Sequence, residues 1–435
     1  MTKTYQKKTA ATSTEAVVPP VEAATVALTE IAESAREGLL ALAVATGLQV
    51  MDAWMTADVE QLCGPRGRHN PDRAGYRHGV EAGSVTLGGR RVPISRPRVR
   101  AADGSGELPV SSYELFCGTE LLGEMAMERM LARLSTRRYQ VGLEPVGSEV
   151  EAAARSTSKS AVSRKFVRAT ETALAELMSA DLTGRNLVAL MIDGVHFGEH
   201  CCVVALGVDI DGVKHPLALE EGATENATLV TDLLVGLRDR GLDVTKPILV
   251  VIDGAKALRR AVLDVFNSPV IGRCQLHKIR NVRDRLPERL RSTVEKRMRT
   301  AYHADSALDA EAQLAALARE LDKTHPGAAA SLREGLAETL TVLRLGLPPT
   351  LARTFRSTNA IESMISVCRD HSRNVKRWRD GQMALRWCAA GMLEAGKQFR
   401  RVNGHLHLPQ LRAALDAEIS GTVAPAVHDD QVVAA

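Results

Sequence analysis

The chain has 435 residues, 45% hydrophobic and 25% charged, which excludes wholesale disorder, a collagen-like fibre and a disulfide-stapled miniprotein and leaves room for roughly two to four domains. The 56 Lys and Arg against 52 Asp and Glu leave a formal charge of +4, so any preference for a polyanion must come from where the charge lies rather than from its sum. No apolar stretch approaches the roughly 20 residues that cross a bilayer; seven cysteines without a secretory leader fit free thiols in a reducing compartment, and aromatics at 3% are too few for a base-stacking platform.

Residues 1–22, rich in Thr, Lys, Ala and Ser and closing on Pro19 and Pro20, have the composition of a flexible arm. From 21 to 62, Val26, Leu28, Ile31, Leu39, Leu42, Val50 and Trp54 recur at helical spacings, with Gly38 and Gly47 as expected interruptions. Val85, Leu87, Val92 and Ile94 then alternate around Gly88-Gly89, which predicts a hairpin. Between residues 66 and 100 nine Arg stand against Asp72 and Glu81, so the ribbon is either a solvated hairpin or a face that pairs with successive phosphates. Leu121, Met125, Met130 and Leu134 predict a helix leading into Ser135-Thr136-Arg137-Arg138-Tyr139. A short helix at 150–154, a polar break at 156–158 and a longer helix from Ser160 outline a helix-turn-helix. Ser160, Ser163, Arg164, Lys165 and Arg168 would face a major groove, with Arg137 and Arg138 as further DNA contacts.

From 182 onward the pattern changes. Residues 187–192 are an apolar strand ending in Asp193-Gly194, 201–208 a second strand and 216–219 a third, joined by gaps short enough for hairpins. A helix at 227–237, a buried strand at 247–252 ending in Asp253-Gly254, a helix at 257–266 and a strand at 270–274 follow. Three strands, helix, strand, helix, strand resembles a ribonuclease H-like core, a mixed five-stranded sheet with flanking helices. Residues 278–347 carry only helical periodicity, an all-α insertion, after which Thr358 or Asn359 is placed to cap a helix bearing Ile361, Glu362 and Ile365. The expected organisation is an arm (1–22), a helical and basic-hairpin region (23–120), a helix-turn-helix region (121–180), a catalytic core in two parts (181–278 and 351–415) around the insertion (279–350), and a flexible tail (416–435).

Two apolar strands thus each deliver Asp-Gly. If the strands are neighbours, Asp193 and Asp253 emerge at one edge and can share a divalent cation, since Mg2+ takes oxygen ligands and keeps waters that a substrate displaces. The Gly after each Asp would leave room for a phosphate backbone. A second ion, about 4 Å away, needs a third carboxylate, and Glu362 is the candidate. Singly, an Asp-Gly is ordinarily a turn and Glu362 a helix-start acid; the joint pattern points to chemistry. Asp209, Asp211, Glu220 and Glu221 read as hairpin and strand-edge acids.

Ile192-Asp193-Gly194, Val251-Ile252-Asp253-Gly254, Cys274-Gln275-Leu276-His277-Lys278 and Ser357-Thr358-Asn359-Ala360-Ile361-Glu362-Ser363 together resemble the mutator-type bacterial insertion-sequence transposases, whose Asp-Asp-Glu triad has a helical insertion before its glutamate. The resemblance runs from about residue 74 to 411 and takes in Gly75-Tyr76-Arg77, Ser135-Thr136-Arg137, Ser160-Ala161-Val162-Ser163-Arg164 and Phe399-Arg400-Arg401-Val402-Asn403-Gly404. It implies Asp193, Asp253 and Glu362 as catalytic and metal-binding, His277 with Cys274 as a Cys-x-x-His signature beside them, and two Mg2+ ions for which Mn2+ can substitute. The implied reaction is cleavage of a phosphodiester by water at an element's end, then in-line attack by the freed 3′-hydroxyl. The implied partners are double-stranded DNA, both terminal inverted repeats and target, and a second copy of the chain, in the bacterial cytoplasm at the nucleoid. Two other readings stay open: a transposase-derived DNA-binding protein without the chemistry, and a ribonuclease H-like nuclease or resolvase.

Two basic stretches flank the candidate site. Residues 273–299 hold ten Lys or Arg against three acids, and 369–401 nine against three. Lys278, Arg280, Arg283, Arg373, Lys376 and Arg377 are the DNA-contact candidates there, with a solvated helix face as the alternative. Cys274/His277 and Cys368/His371 could together supply four zinc ligands, although the second pair falls within a predicted helix; His277 beside the carboxylates and Cys274 in the core is the favoured reading. Trp378 and Trp387 are expected as core anchors at helical spacing.

Overall fold

The computed structural model describes residues 21–68, 70–118, 120–143, 146, 148–155 and 157–422. Most of the expected arm, and the tail from 423, lie outside the described residues. The chain divides into two units, one of residues up to 122 with 139–158, the other of 123–138 with 159–435.

In the first unit α1 (Val21–Cys63) is one helix of 43 residues, unbroken at Gly38 and Gly47. A helical Gly costs about 1 kcal/mol relative to Ala, too little to break a long cooperative helix rich in Ala and Leu. β1 (Gly75–Leu87) and β2 (Arg90–Ala101) form the expected hairpin, and β3 (Glu107–Leu108) pairs with β2. Gly88 and Gly89 both have positive φ, 52° and 76°, as the two-residue turn between Leu87 and Arg90 requires. α2 (Ser111–Cys117) follows; α3 (Glu120–Leu131) runs into the second unit, and α4 (Ser148–Ala153) belongs to the first. Met55, Val59 and Cys63 of α1 pack on Val99 and Val110.

Much of the arginine ribbon is spent inside this unit. Arg90 is 1% exposed and pairs with Glu151 at 3.3 Å; Arg91 donates to Ser84 Oγ at 2.6 Å and to the Cys117 carbonyl. Arg96 and Arg98 share Glu81 and Glu107. Arg66, Arg68 and Arg100 are exposed.

The second unit opens with α5 (Lys159–Ser179), whose Val162, Phe166, Thr170, Ala173 and Leu177 are buried. α4 and α5, the two helices expected to form a helix-turn-helix, therefore fall in different units. β4 (Leu187–Phe197), β5 (His200–Asp209) and β6 (Lys214–Gly222) form an antiparallel meander; α6 (Ala227–Asp239), β7 (Ile248–Ile252), α7 (Lys256–Val265) and β8 (Pro269–Arg273) follow. The strand order is β6-β5-β4-β7-β8, with β4, β7 and β8 parallel to one another, so the sheet is mixed.

Next come α8 (Gln275–Arg283), α9 (Glu288–Ala301), α10 (Ala307–Asp322), α11 (Pro326–Arg333), α12 (Leu336–Thr339), α13 (Thr341–Arg344) and α14 (Pro349–Phe355). They contain no strand, and residues from Ile279 to Leu340 build a core of their own. α15 (Asn359–Ser372), α16 (Gly381–Lys397) and α17 (Leu408–Thr422) complete the unit.

Side-chain alternation along the strands sorts the sheet into two layers. Leu190, Ile192, Val250 and Ile252 join Val230, Leu234, Leu258 and Val262 of α6 and α7. Met191, Val195, Leu249 and Val251 join Ile361, Met364 and Ile365 of α15, Cys388 of α16, and Leu411 and Leu415 of α17. The expected tail is thus helical to Thr422: those leucines anchor it, and Arg412 donates to the carbonyls of Leu187 and Pro247. The rings of Trp378 and Trp387 form a T-shaped pair with centroids 6.4 Å apart, but only Trp387 is helical; Trp378 lies between α15 and α16, its ring centroid 4.9 Å from that of Phe197. All seven cysteines are free, and none of the helices searched among the described residues is long and apolar enough to cross a membrane.

Candidate active site

The first feature of the site is a difference in strand length. β7 stops at Ile252, whereas β4 runs on through Asp193 to Phe197 because its pairing with β5 continues, Asp193 opposite Val204. The last parallel pair between β4 and β7 is Met191 with Val251. Asp193 and Asp253 each stand two residues beyond it, level across the sheet. By alternation Asp193 turns to the side of Met191 and Val195, where α15 packs. Its Oδ1 accepts from the Gly194 amide at 2.8 Å, and Asp253 Oδ1 accepts from the Ala255 amide at 2.8 Å.

Glu362 lies in the first turn of α15. Thr358, at the cap position, has φ −85° and ψ 15° and makes no side-chain cap. Its hydroxyl, fully buried, instead donates to Glu362 Oε1 at 2.8 Å and lies 3.4 Å from both Cys274 Sγ and His277 Nδ1. His277 Nε2 is 3.7 Å from Glu362 Oε1. The backbone ties the pieces together: the Cys274 amide donates to Ile252 O at 2.8 Å and the Gln275 amide to Arg356 O at 2.9 Å, which fixes the start of α8 against the end of β7 and the approach to α15.

Burial, opposed by the Gly194 amide and reinforced by Asp253 and then Glu362, pushes the Asp193 carboxyl up to about 6, with His277 acting the other way. His277 is raised, first by its hydrogen bond to Cys274 and also by Glu362 and Asp253. Burial works to raise the Cys274 thiol, but hydrogen bonds with His277 and Thr358 outweigh it and the thiol is lowered. Cys274, His277 and Glu362 hold ligand atoms within 4.8 Å of one another, the one such trio found among the described residues. The three carboxylates interact but stand further apart.

One acid escaped the sequence reading. Glu225, just before α6, is pushed up to about 7 by burial and by Asp253 and Asp193. It approaches β4 from the other face: a Cβ on Gly194 would sit 2.7 Å from Glu225 Oε2. The room left at Gly194 is therefore taken by Glu225 rather than by a phosphate backbone. At Gly254, φ +105°, it is taken by the Arg273 guanidinium, 1.8 Å from where a Cβ would be. A loop acid separated from Asp193 by β5 and β6 and from Asp253 by α6 and β7 has no periodic signal. Asp209 caps its own hairpin, accepting from Val213 N at 2.8 Å and His215 Nε2 at 2.7 Å, and Glu221 bonds His200 at 2.7 Å, as expected of strand-edge acids.

Asp193 feels the charges of Asp253 and Glu362, and Glu225 those of both aspartates; oxygen donors that repel one another suit a hard divalent cation such as Mg2+. Two Cys-x-x-His pairs in one zinc site do not fit: Cys368 donates to the Cys388 carbonyl at 3.6 Å and His371 Nδ1 bonds the Leu131 carbonyl at 2.6 Å, apart from Cys274 and His277.

Of the DNA-contact candidates, Arg137, Arg138, Ser160, Ser163, Arg164, Arg168, Arg280, Arg373, Lys376 and Arg377 are exposed and Lys165 half-buried. Arg283 is half-buried and pairs with Glu295 at 2.8 Å. Lys278 is a correction. It is fully buried, its ammonium donates to Ser331 O at 2.6 Å and to Glu334 O, and burial lowers it to about 8. At helical position i+4 from Cys274 it turns into the insertion core, which a charge count cannot register.

Comparison with known proteins bears on this geometry. Over 367 residues, 83% of this chain and 90% of the relative, it is 25% identical to the transposase for insertion sequence element ISRM5 of Rhizobium meliloti (strain 1021). It is 30% identical over 195 residues to the transposase for IS6120 of Mycolicibacterium smegmatis, covering 43% of this chain and 59% of that one. It is 23% identical over 335 residues to the transposase for IS256 in transposon Tn4001 of Staphylococcus aureus, covering 74% and 82%. The family described as Transposase, Mutator family, matches residues 21–402, and the chain belongs to that family.

Proposed function

We propose that the protein is a DNA transposase that cuts and joins strands at the terminal inverted repeats of an insertion sequence, with Asp193, Asp253 and Glu362 holding two Mg2+ ions, replaceable by Mn2+, on a ribonuclease H-like core. The observation that carries this reading is the level placement of Asp193 and Asp253 beyond the Met191–Val251 pair, with the charge of Glu362 on α15 felt at Asp193. Strand order β6-β5-β4-β7-β8, with helices on both faces and an all-α block before α15, supports the core assignment.

Bound divalent ions would supply Lewis-acid activation of the phosphodiester and offset charge in its transition state. The chain's own residues do the positioning. Thr358 holds Glu362 through Oε1. The Gly194 and Ala255 amides fix one oxygen of each aspartate. His277 sits where it can contact the DNA or steady Glu362. Like charges keep the carboxylates apart, and a divalent ion is the partner that draws such a set together. Exposed Arg and Lys on α5 and in the 373–377 segment would bind the duplex, with α5 as the recognition helix, and a homodimer would bring two ends together.

The test is Asp193→Asn with a metal ion and an inverted-repeat duplex: cleavage should vanish while binding survives. A variant that cuts as well as the parent overturns the assignment. Supplying a pre-cleaved end with a free 3′-hydroxyl separates joining from a nuclease or resolvase, which would give no joined product.

A further inference from the structure

We propose that a basic hollow between α9, the end of α14 and the start of α15 is a seat for a phosphate of the DNA strand, distinct from the acidic cluster and from the basic residues assigned above. A cavity of about 180 Å3 there is lined by Arg299, Arg353, Arg356, His303, Ser357 and Asn359, among others. A wider depression of about 590 Å3 shares Arg299 and His303 with it and adds Lys296, Ser292, Thr300 and one acid, Glu295.

Three guanidiniums gathered this way repel one another. Burial first, and then Arg353 and Arg299, make the charge on Arg356 harder to hold. Acidic compensation is thin: Arg299 bonds Glu295 at 2.8 Å, but Glu295 is also shared with Arg283. Among the described residues no carboxylate forms an ion pair with Arg353 or Arg356. Arg356 is nevertheless held in place. His303 Nδ1 lies 2.7 Å from the Arg299 carbonyl, so it carries the ring proton, and Nε2 accepts from Arg356 Nη1 at 2.9 Å. A half-buried cation fixed by a neutral partner and surrounded by like charges is arranged for an anion.

The start of α15 adds to this. No side chain caps its first amides, because the Thr358 hydroxyl is given to Glu362, and uncapped amides at the positive end of a 14-residue helix favour an anion. Asn359 lines the hollow and Glu362 follows one turn later on the same side of the helix, an axial rise of about 4.5 Å. A strand whose reacting phosphodiester lay at the carboxylates would therefore pass the hollow with a neighbouring phosphate. This rests on DNA being the substrate.

The experiment measures binding of a fluorescein-labelled random-sequence duplex against salt for the parent, Arg353→Gln, Arg356→Gln, the double variant and Arg353→Lys. Each lost contact should make the slope of log affinity against log salt shallower by about 0.9, with Arg353→Lys at the parental slope. Inorganic phosphate should raise the Tm of the parent and not that of the double variant. A double variant with the parental slope overturns the proposal; if it also loses the phosphate effect, the hollow takes free phosphate and not DNA. Arg353 is exposed, so its variants test the idea even if Arg356→Gln unfolds. Because the slope needs no cleavage, its failure is separable from that of the catalytic reading, which Asp193→Asn decides.

Discussion

Asp193 works against the fold that holds it. Its carboxyl, ordinarily near 3.8, stands at about 6 in the folded chain, so between those values the folded state binds more protons than the unfolded one. Stability contributed by this group therefore falls as pH rises through that window, and the loss is complete above it. Metal-free Asp193→Asn should melt at a higher temperature than the parent at pH 8, the difference closing as the pH approaches 4. A Tm difference of the opposite sign would refute the electrostatic account. Glu225→Gln should behave alike, with its window reaching about 7. Added Mg2+ should raise the parent's Tm above pH 7 more than that of Asp193→Asn.

Thr358 makes a second residue-scale prediction. Its buried hydroxyl is the hydrogen-bond donor to Glu362 Oε1, and Thr358→Val removes it while keeping the shape. A bond to a charged group of this kind contributes roughly 1.5–3 kcal/mol. Thr358→Val should lower the unfolding free energy obtained from denaturant titration by an amount in that range and weaken activation by Mg2+, whereas Thr358→Ser should restore both. The position was visible in the sequence as a helix start, but the use of the hydroxyl was not. Capping is a local rule, and here a carboxylate one turn on, with Cys274 and His277 from another element, outcompetes it.

At the scale of elements, what brings Glu362 to the sheet is the fit of α15 against α16. Gly391 of α16 faces Cys368 of α15 so closely that an added Cβ would be 2.8 Å from the Cys368 Cα. Gly391→Ala must push the helices apart, an overpacking cost of about 1–3 kcal/mol, and should both lower Tm and raise the Mg2+ concentration needed for cleavage. An unchanged Tm would show that the helices are not in contact there. Strands were readable where apolar runs were bounded by turns. The far half of β4 was not, since Asp193, Gly194 and His196 interrupt the apolar run and only pairing with β5 keeps it extended. α1 likewise passes through two glycines because length and cooperativity, not single propensities, decide it.

For the whole molecule, a modest net charge hides a lopsided distribution. Duplex binding should fall steeply with salt, and a flat response would be hard to reconcile with a phosphate-binding surface. Within that, Lys278→Gln should lower Tm strongly and leave the salt slope alone, because the ammonium is sequestered by Ser331 and Glu334 carbonyls. Arg377→Gln should do the reverse. An equal effect of the two on the slope would contradict the burial of Lys278.

The amino-acid sequence by itself determined the order of the core strands and helices and the all-α block, and it singled out Asp193, Asp253 and Glu362 as the acids to place, because hydrophobic periodicity and strand-end chemistry are local along the chain. It did not determine which charges face water. Arg90 and Lys278 read as surface cations and are buried; Glu225 read as nothing and stands beside both aspartates. Only the tertiary structure decides such matters, since burial and ion pairing depend on partners brought near by packing, from segments that share no spacing with the residue they enclose.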